Sequence, residues 1–201
     1  SPIEQMRFLR IACLSATVLL AACGKPPPFN ATDLSGTEIG SASLTQVLKD
    51  QTGKPRKLSD YQGKVIVIFF GYTQCPDVCP TVLAKMRDVM AQLGNDAEKV
   101  QVVFVTIDPE RDTQELLSQY VPAFHPSFVG MYGDAAATAS IAKDFKVFYQ
   151  KHPGTTAGNY TMDHSSGSYV IDAKGKLRLY VKHEDTAPQI AQDIKRLLAE
   201  H

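Results

Sequence analysis

Three things are scarce in this chain of 201 residues: cysteine, net charge and long apolar runs. Its 21 lysines and arginines balance 21 aspartates and glutamates, and no run of like charges appears. A balanced chain offers no basic footprint, which argues against nucleic acid as a partner. Of its 4 cysteines only Cys75 and Cys79 stand close together, and no second Cys or His pair at short spacing accompanies them. Closed structural zinc, which takes four ligands, is thereby disfavoured. The apolar run from Ile11 to Ala22 is 12 residues long, well short of the roughly 20 that a membrane-spanning helix needs. No internal repeat or low-complexity tract is present. What is there, 44% hydrophobic and 21% charged residues, describes one ordinary globular domain with material for a real core.

The N-terminal segment reads as an export signal. After "SPIEQ", a leader remnant or an over-extended start, come Met6, Arg7 and Arg10, then the apolar run, which ends in small residues before Cys23. "LAAC", Leu20 to Cys23, resembles the bacterial lipobox, whose cysteine is diacylated and becomes the first residue of the mature protein. The expected organisation is therefore 1–22 as leader residues and lipoprotein signal peptide, 23–29 as lipidated Cys23 and a stiff Pro-rich tether, and 30–201 as the folded domain. The implied location is the bacterial cell envelope, facing the periplasm and lipid-anchored to a membrane. Gly24 in place of an aspartate leaves the leaflet open. With Cys13 removed and Cys23 acylated, the free thiols are Cys75 and Cys79, in a compartment that permits disulfide chemistry.

Beyond the tether, β and α patterns alternate after a β-rich start. "SLTQVLKD" and "PRKLSDY" flank "QTGK" as a hairpin, and "KVIVIFF" is a buried central strand. Thr81 to Leu93 is a helix stopped by Gly94, and "VQVVFVTI" is a second buried strand. "DPERDTQELLSQYV" is a turn and a helix, with Asp112 or Thr113 as its N-cap. "GDAAATASIAKDF" is a third helix and "KVFYQK" a short strand; "GSYVIDAKGKLRLYV" is a hairpin turning at Lys174-Gly175, and "TAPQIAQDIKRLLAE" is the closing helix. The pattern predicts an α/β thioredoxin-like fold with an N-terminal β-hairpin extension and an inserted helix/strand segment.

The chemistry concentrates in "GYTQCPDVCP", residues 71–80, at a strand-to-helix junction. Because proline disfavours helix at the residue before it, Cys79 is expected to cap a helix starting at Pro80, with Cys75 in the turn ahead. A helix N-terminus favours thiolate over thiol. Two such thiolates suit Cu(I), or can close a disulfide across a Cα gap of roughly 4.4–6.8 Å. A purely structural pair is the remaining reading, and so short a loop makes it a weak staple. A metal would need a third ligand. His125, His152, His183 and His201 read as solvated loop or terminal residues. His164, in "YTMDHSSGSYVID", falls in the loop leading into a strand that should lie against the cysteine helix, though a plain loop histidine is the alternative. Two thiolates and one imidazole fit copper better than closed zinc. Met162 is a soft donor nearby with packing as its simpler role; Asp163 is a hydrogen-bond partner for His164 or a turn residue. Asp108 and Arg111 read as turn residues, with contact to a partner as the alternative.

"FFGYTQCPDVCPTVLAKM", "TIDPERDT", "LLSQYV", "VGMYG" and "DHSSGSYVID" closely resemble, in the same order and over roughly residues 30 to 199, the Sco/SenC family of thioredoxin-fold copper-delivery proteins. The resemblance implies that Cys75, Cys79 and His164 bind copper as Cu(I) and Cu(II), and that the protein helps to assemble the binuclear copper centre of cytochrome c oxidase subunit II. It also implies a possible second role for Cys75 and Cys79, as a redox-catalytic pair that reduces that subunit's cysteines, so enzymatic activity is left open. Other periplasmic copper carriers and thiol reductants would then be further partners. Many relatives use a membrane-spanning anchor, whereas this chain carries the lipobox pattern. A peroxiredoxin-type peroxidase, faintly suggested by "VCPT", is opposed by the upstream Cys75 and the Asp-His loop.

Overall fold

The structure is a computed structural model, and it describes residues 24–200. Residues 1–23, which hold the expected signal peptide and Cys23, and His201 lie outside the described residues. The chain runs β1 (Thr32–Asp33), β2 (Leu48–Asp50), β3 (Pro55–Arg56), β4 (Val65–Gly71), α1 (Val78–Leu93), β5 (Val100–Thr106), α2 (Gln114–Phe124) and β6 (Val129–Tyr132). It continues with α3 (Ala135–Asp144), β7 (Tyr149–Pro153), β8 (Tyr160–His164), β9 (Ser168–Ile171), β10 (Leu177–Val181) and α4 (Ala187–Leu198).

Eight strands form one sheet in the order β1-β10-β9-β4-β5-β6-β2-β3. β4, β5 and β6 are parallel, and the remaining pairings are antiparallel. This is the thioredoxin-like α/β architecture expected. β4 and β5 are buried at every position because helices cover both faces, so "VIVIFFG" and "VQVVFVT" read as continuous apolar runs rather than alternating ones. β10 alternates buried and half-buried residues, as a strand covered on one side does. α4 places Ile190, Ile194 and Leu197 on one stripe, opened by a capping box between Thr186 and Gln189. The core runs from Phe69, Phe70 and Phe104 in the central strands to Leu83 and Met86 of α1.

The N-terminal hairpin is present as β2 and β3, and it pairs onto β6 at the sheet edge. Two expectations are corrected, and one pair of alternatives is decided. Helix α1 starts at Val78, so Cys79 and Pro80 both lie in its first turn and Asp77 is the N-cap residue. Pro80 is tolerated there because the first N–H groups of a helix have no intrahelical acceptor. Thr113 caps α2, its side chain accepting from Leu116 N, and this leaves Asp112 for another task. Finally, β8 turns residues 160–164 from loop into strand: it pairs with β7 in a second, two-stranded sheet. β6 is likewise a strand that propensity does not announce, since Gly130 stands in its four residues.

Candidate metal centre

The sulfurs sit at the carboxyl end of β4, where open α/β sheets bind ligands. Gly71 ends that strand, and a Cβ built on it would lie 2.9 Å from Cys79 Sγ and 2.8 Å from the Phe69 ring. The glycine is therefore required by close approach: the sulfur occupies the space a side chain would fill. Cys79 is 0% exposed, whereas Cys75 is half-buried; both are free thiols. Burial pushes the Cys79 thiol well above its usual range, outweighing a backbone hydrogen bond from Tyr72 that favours the thiolate. Its position in the first turn of α1 does not reverse this, so without a metal this sulfur keeps its proton.

His164 is the last residue of β8, not a loop residue. Strand alternation puts Tyr160, Met162 and His164 on the face turned toward the body, while Thr161 and Asp163 face out. Tyr160 and Met162 are buried, and Met162 N donates to the Tyr72 hydroxyl at 3.2 Å. The His164 ring meets Tyr72 and Phe69 edge-on, with centroids 5.8 and 6.1 Å away. Its Nδ1 lies 2.9 Å from the Ser165 carbonyl oxygen. A carbonyl only accepts, so Nδ1 carries the proton and Nε2 presents a lone pair. That Nε2 faces Cys79 Sγ at 3.4 Å. Desolvation lowers the His164 pKa, which keeps the ring neutral and ready to ligate.

The donor atoms of Cys75, Cys79 and His164 all lie within 4.8 Å of one another. Metal bonds of about 2.0–2.3 Å put any two ligands of one ion at most roughly 4.6 Å apart, so a small contraction would let one ion touch all three. Two soft sulfurs and one imidazole make a donor set suited to copper. Cys75, Tyr72, Met162 and His164 line a surface recess of about 380 Å³. Cys75 and His164 thus face the opening, while Cys79 is buried and does not line it.

The other described histidines lie elsewhere. His125 stacks on Phe128, with Nδ1 against Ser127, and His152 pairs with Asp163 at 2.8 Å on the exposed face of the hairpin. The His183 carbonyl accepts from Lys85. Asp163 therefore makes its hydrogen bond to His152 rather than to His164, and Met162 packs in the core. Asp108 and Arg111, weighed as partner contacts, turn inward. Asp108 is 3% exposed and accepts from the Tyr160 hydroxyl at 2.5 Å and from Arg111 Nε at 2.6 Å. Sequence reasoning passed over Gly71, Tyr72 and Tyr160; "FFGY" held two of them, but only a tertiary contact reveals their use.

The SCO1/SenC family model matches residues 33–199. The chain is 42% identical over 137 residues to a SCO2-like protein of Rickettsia felis, covering 68% of this chain and 65% of that protein. It thus spans about two thirds of that relative's length. Among solved structures it resembles Bradyrhizobium japonicum ScoI with copper bound, at 39% identity and a TM-score of 0.70, covering 75% of this chain and 96% of that one. It also resembles a SCO1/SenC family lipoprotein from Bacillus anthracis, at 28% identity and a TM-score of 0.67, covering 76% of this chain and 92% of that one. A match across the whole folded domain, with the Cys-Cys-His cluster inside it, shows that the chain belongs to the SCO1/SenC family.

Proposed function

We propose that this protein is a copper carrier whose cargo is one copper ion, held by Cys75, Cys79 and His164, and that it serves assembly of the binuclear copper centre of cytochrome c oxidase subunit II. The observation that carries the reading is the convergence of two thiols and a neutral imidazole lone pair within 4.8 Å. The bound copper of the Bradyrhizobium relative supports it. Ion uptake displaces the protons of the two thiols, and the largest gain is at Cys79, whose burial makes a free thiolate costly but a metal-neutralised one acceptable. Cys75, at the mouth, is the ligand an accepting protein reaches first.

The same cysteines leave room for the second reading, a reductant for the thiols of that subunit. Cys75 is accessible enough to attack a disulfide, with Cys79 behind it to resolve the mixed disulfide. Against this, the imidazole faces the buried sulfur rather than the accessible one, so it does not activate the attacking group. Attachment through a lipidated Cys23 on the periplasmic side belongs to the same proposal, supported by "LAAC" and by the lipoprotein relative. Among the described residues no helix is long and apolar enough to cross a membrane.

The test is complementation of a strain deleted for this gene, at native expression and limiting copper. His164→Ala should fail to restore oxidase assembly, as should Cys75→Ser and Cys79→Ser. Full restoration by His164→Ala, with both cysteine variants inactive, moves the assignment to thiol reduction.

A further inference from the structure

The turn that follows β5 contacts both halves of the site, and its two aspartates point opposite ways. Asp112 is 0% exposed, and its carboxylate accepts from Thr73 N at 3.0 Å, Thr73 Oγ1 at 2.5 Å and Thr106 Oγ1 at 2.6 Å. Thr73 stands two residues before Cys75, so this carboxylate pins the loop that carries the accessible sulfur. Asp108, buried four residues earlier, takes the Tyr160 hydroxyl and Arg111 Nε. Arg111 Nη1 donates to the Tyr160 carbonyl at 2.8 Å, and its guanidinium lies 3.5 Å from the Tyr160 ring centroid. Tyr160 starts the strand that ends in His164.

We propose that the turn from Asp108 to Asp112 is the bracket that sets the geometry of the metal centre: Asp112 positions the cysteine loop, and Asp108 with Arg111 positions the histidine strand. The proposal rests on the reading that Cys75, Cys79 and His164 hold copper. The hairpin makes no ladder with the main sheet, so nothing in the backbone pairing fixes His164 against Cys79. Side-chain contacts do this instead, and a buried carboxylate satisfied by three donors leaves little freedom to shift. The two arms are separable because each holds a different ligand type. A loosened sulfur loop affects Cu(I) and Cu(II) alike, since thiolates bind both. A loosened histidine strand affects Cu(II) more, because two thiolates still hold Cu(I).

The experiment uses the full purified chain, reduced and loaded with Cu(I) or Cu(II), and four variants. Tyr160→Phe removes one hydroxyl from the histidine arm and Arg111→Met the whole cation; Thr73→Val removes one hydroxyl from the sulfur arm and Thr73→Ser restores it. Outer partners of metal ligands typically matter by about 10-fold to 100-fold in affinity. Tyr160→Phe should weaken Cu(II) by about 10-fold, with reduced nitrogen coupling in the electron paramagnetic resonance spectrum, and change Cu(I) by less than about 3-fold. Arg111→Met should do the same more strongly. Thr73→Val should weaken both oxidation states by about 10-fold with nitrogen coupling intact, and Thr73→Ser should recover most of it. If Arg111→Met does not fold, the two single-hydroxyl variants decide. Identical profiles for Tyr160→Phe and Thr73→Val, or wild-type binding in both, overturn the bracket. A wild-type chain that binds no copper, or binds it without nitrogen coupling, overturns the underlying site reading instead.

Discussion

The two segments that meet at the metal centre are built on different principles. The cysteine segment grows out of β4 and α1, a strand buried along its whole length and a helix packed against α4. The histidine segment is a two-stranded hairpin beside the sheet, with exposed residues through most of β7 and alternate residues of β8 facing water. Placement of the Cys79 sulfur is thus a property of the core, where moving one side chain means moving its packed neighbours. Imidazole placement is a property of a small number of polar and aromatic contacts. The difference assigns separate vulnerabilities: the buried Cys79 sulfur to packing, and the histidine, like the Cys75 loop that Asp112 holds, to hydrogen bonding.

The largest effect should come from filling the space under the buried sulfur. Gly71→Ala places a methyl group 2.9 Å from Cys79 Sγ and from the Phe104 ring, too close for either to stay. Overpacking of this kind costs about 1–3 kcal/mol of stability, measurable as a lower urea midpoint at unchanged slope. Copper affinity should fall in both oxidation states, because the displaced atom is a sulfur. Normal binding by a destabilised Gly71→Ala would show that the sulfur position is softer than its packing implies.

A smaller, pH-dependent effect separates the same two segments in the metal-free, reduced protein. Cys79 has its folded pKa raised by burial, so its stabilising contribution is complete below the unfolded value of about 8.5 and is lost as pH climbs above it. His164 has its folded pKa lowered, so its contribution is complete above about 6.5 and is lost as pH falls. Denaturation across this range should give a stability plateau between the two limits. Cys79→Ala should flatten the alkaline limb, and His164→Ala the acid limb. A variant that flattens the opposite limb, or neither, contradicts the assignment.

The features legible in the chain follow the same division. "KVIVIFF" announces a buried strand and "TVLAKMRDVMAQL" a helix, because both patterns repeat locally, so the setting of Cys75 and Cys79 could be read directly. The helix start was displaced to Val78 because Pro80 signals a boundary while a first turn accepts proline without losing a hydrogen bond. β8 was hidden: "YTMDH" is short, mixes apolar and acidic residues, and becomes a strand through pairing with β7. The task of Asp112 was illegible for another reason. Its partner Thr73 is 39 residues away, and no local pattern encodes a contact made only by the folded chain.

The smallest effect concerns the outer face of the hairpin. Asp163 is exposed and pairs with His152 across the strands. Exposed pairs contribute roughly 0–1 kcal/mol, so Asp163→Asn should shift the midpoint of thermal unfolding little and leave copper affinity within about 2-fold of wild type. A large loss of Cu(II) binding would mean that this carboxylate, rather than the Ser165 carbonyl, governs the imidazole.

The most direct measurement is X-ray absorption at the copper edge on the reduced full-length protein loaded with one equivalent of copper. Two sulfurs and one nitrogen from imidazole per copper are predicted, with the nitrogen contribution absent in His164→Ala and one sulfur absent in either Cys75→Ser or Cys79→Ser. A wild-type site with a single sulfur, or one unchanged by His164→Ala, would contradict the assignment of Cys75, Cys79 and His164 as one metal centre.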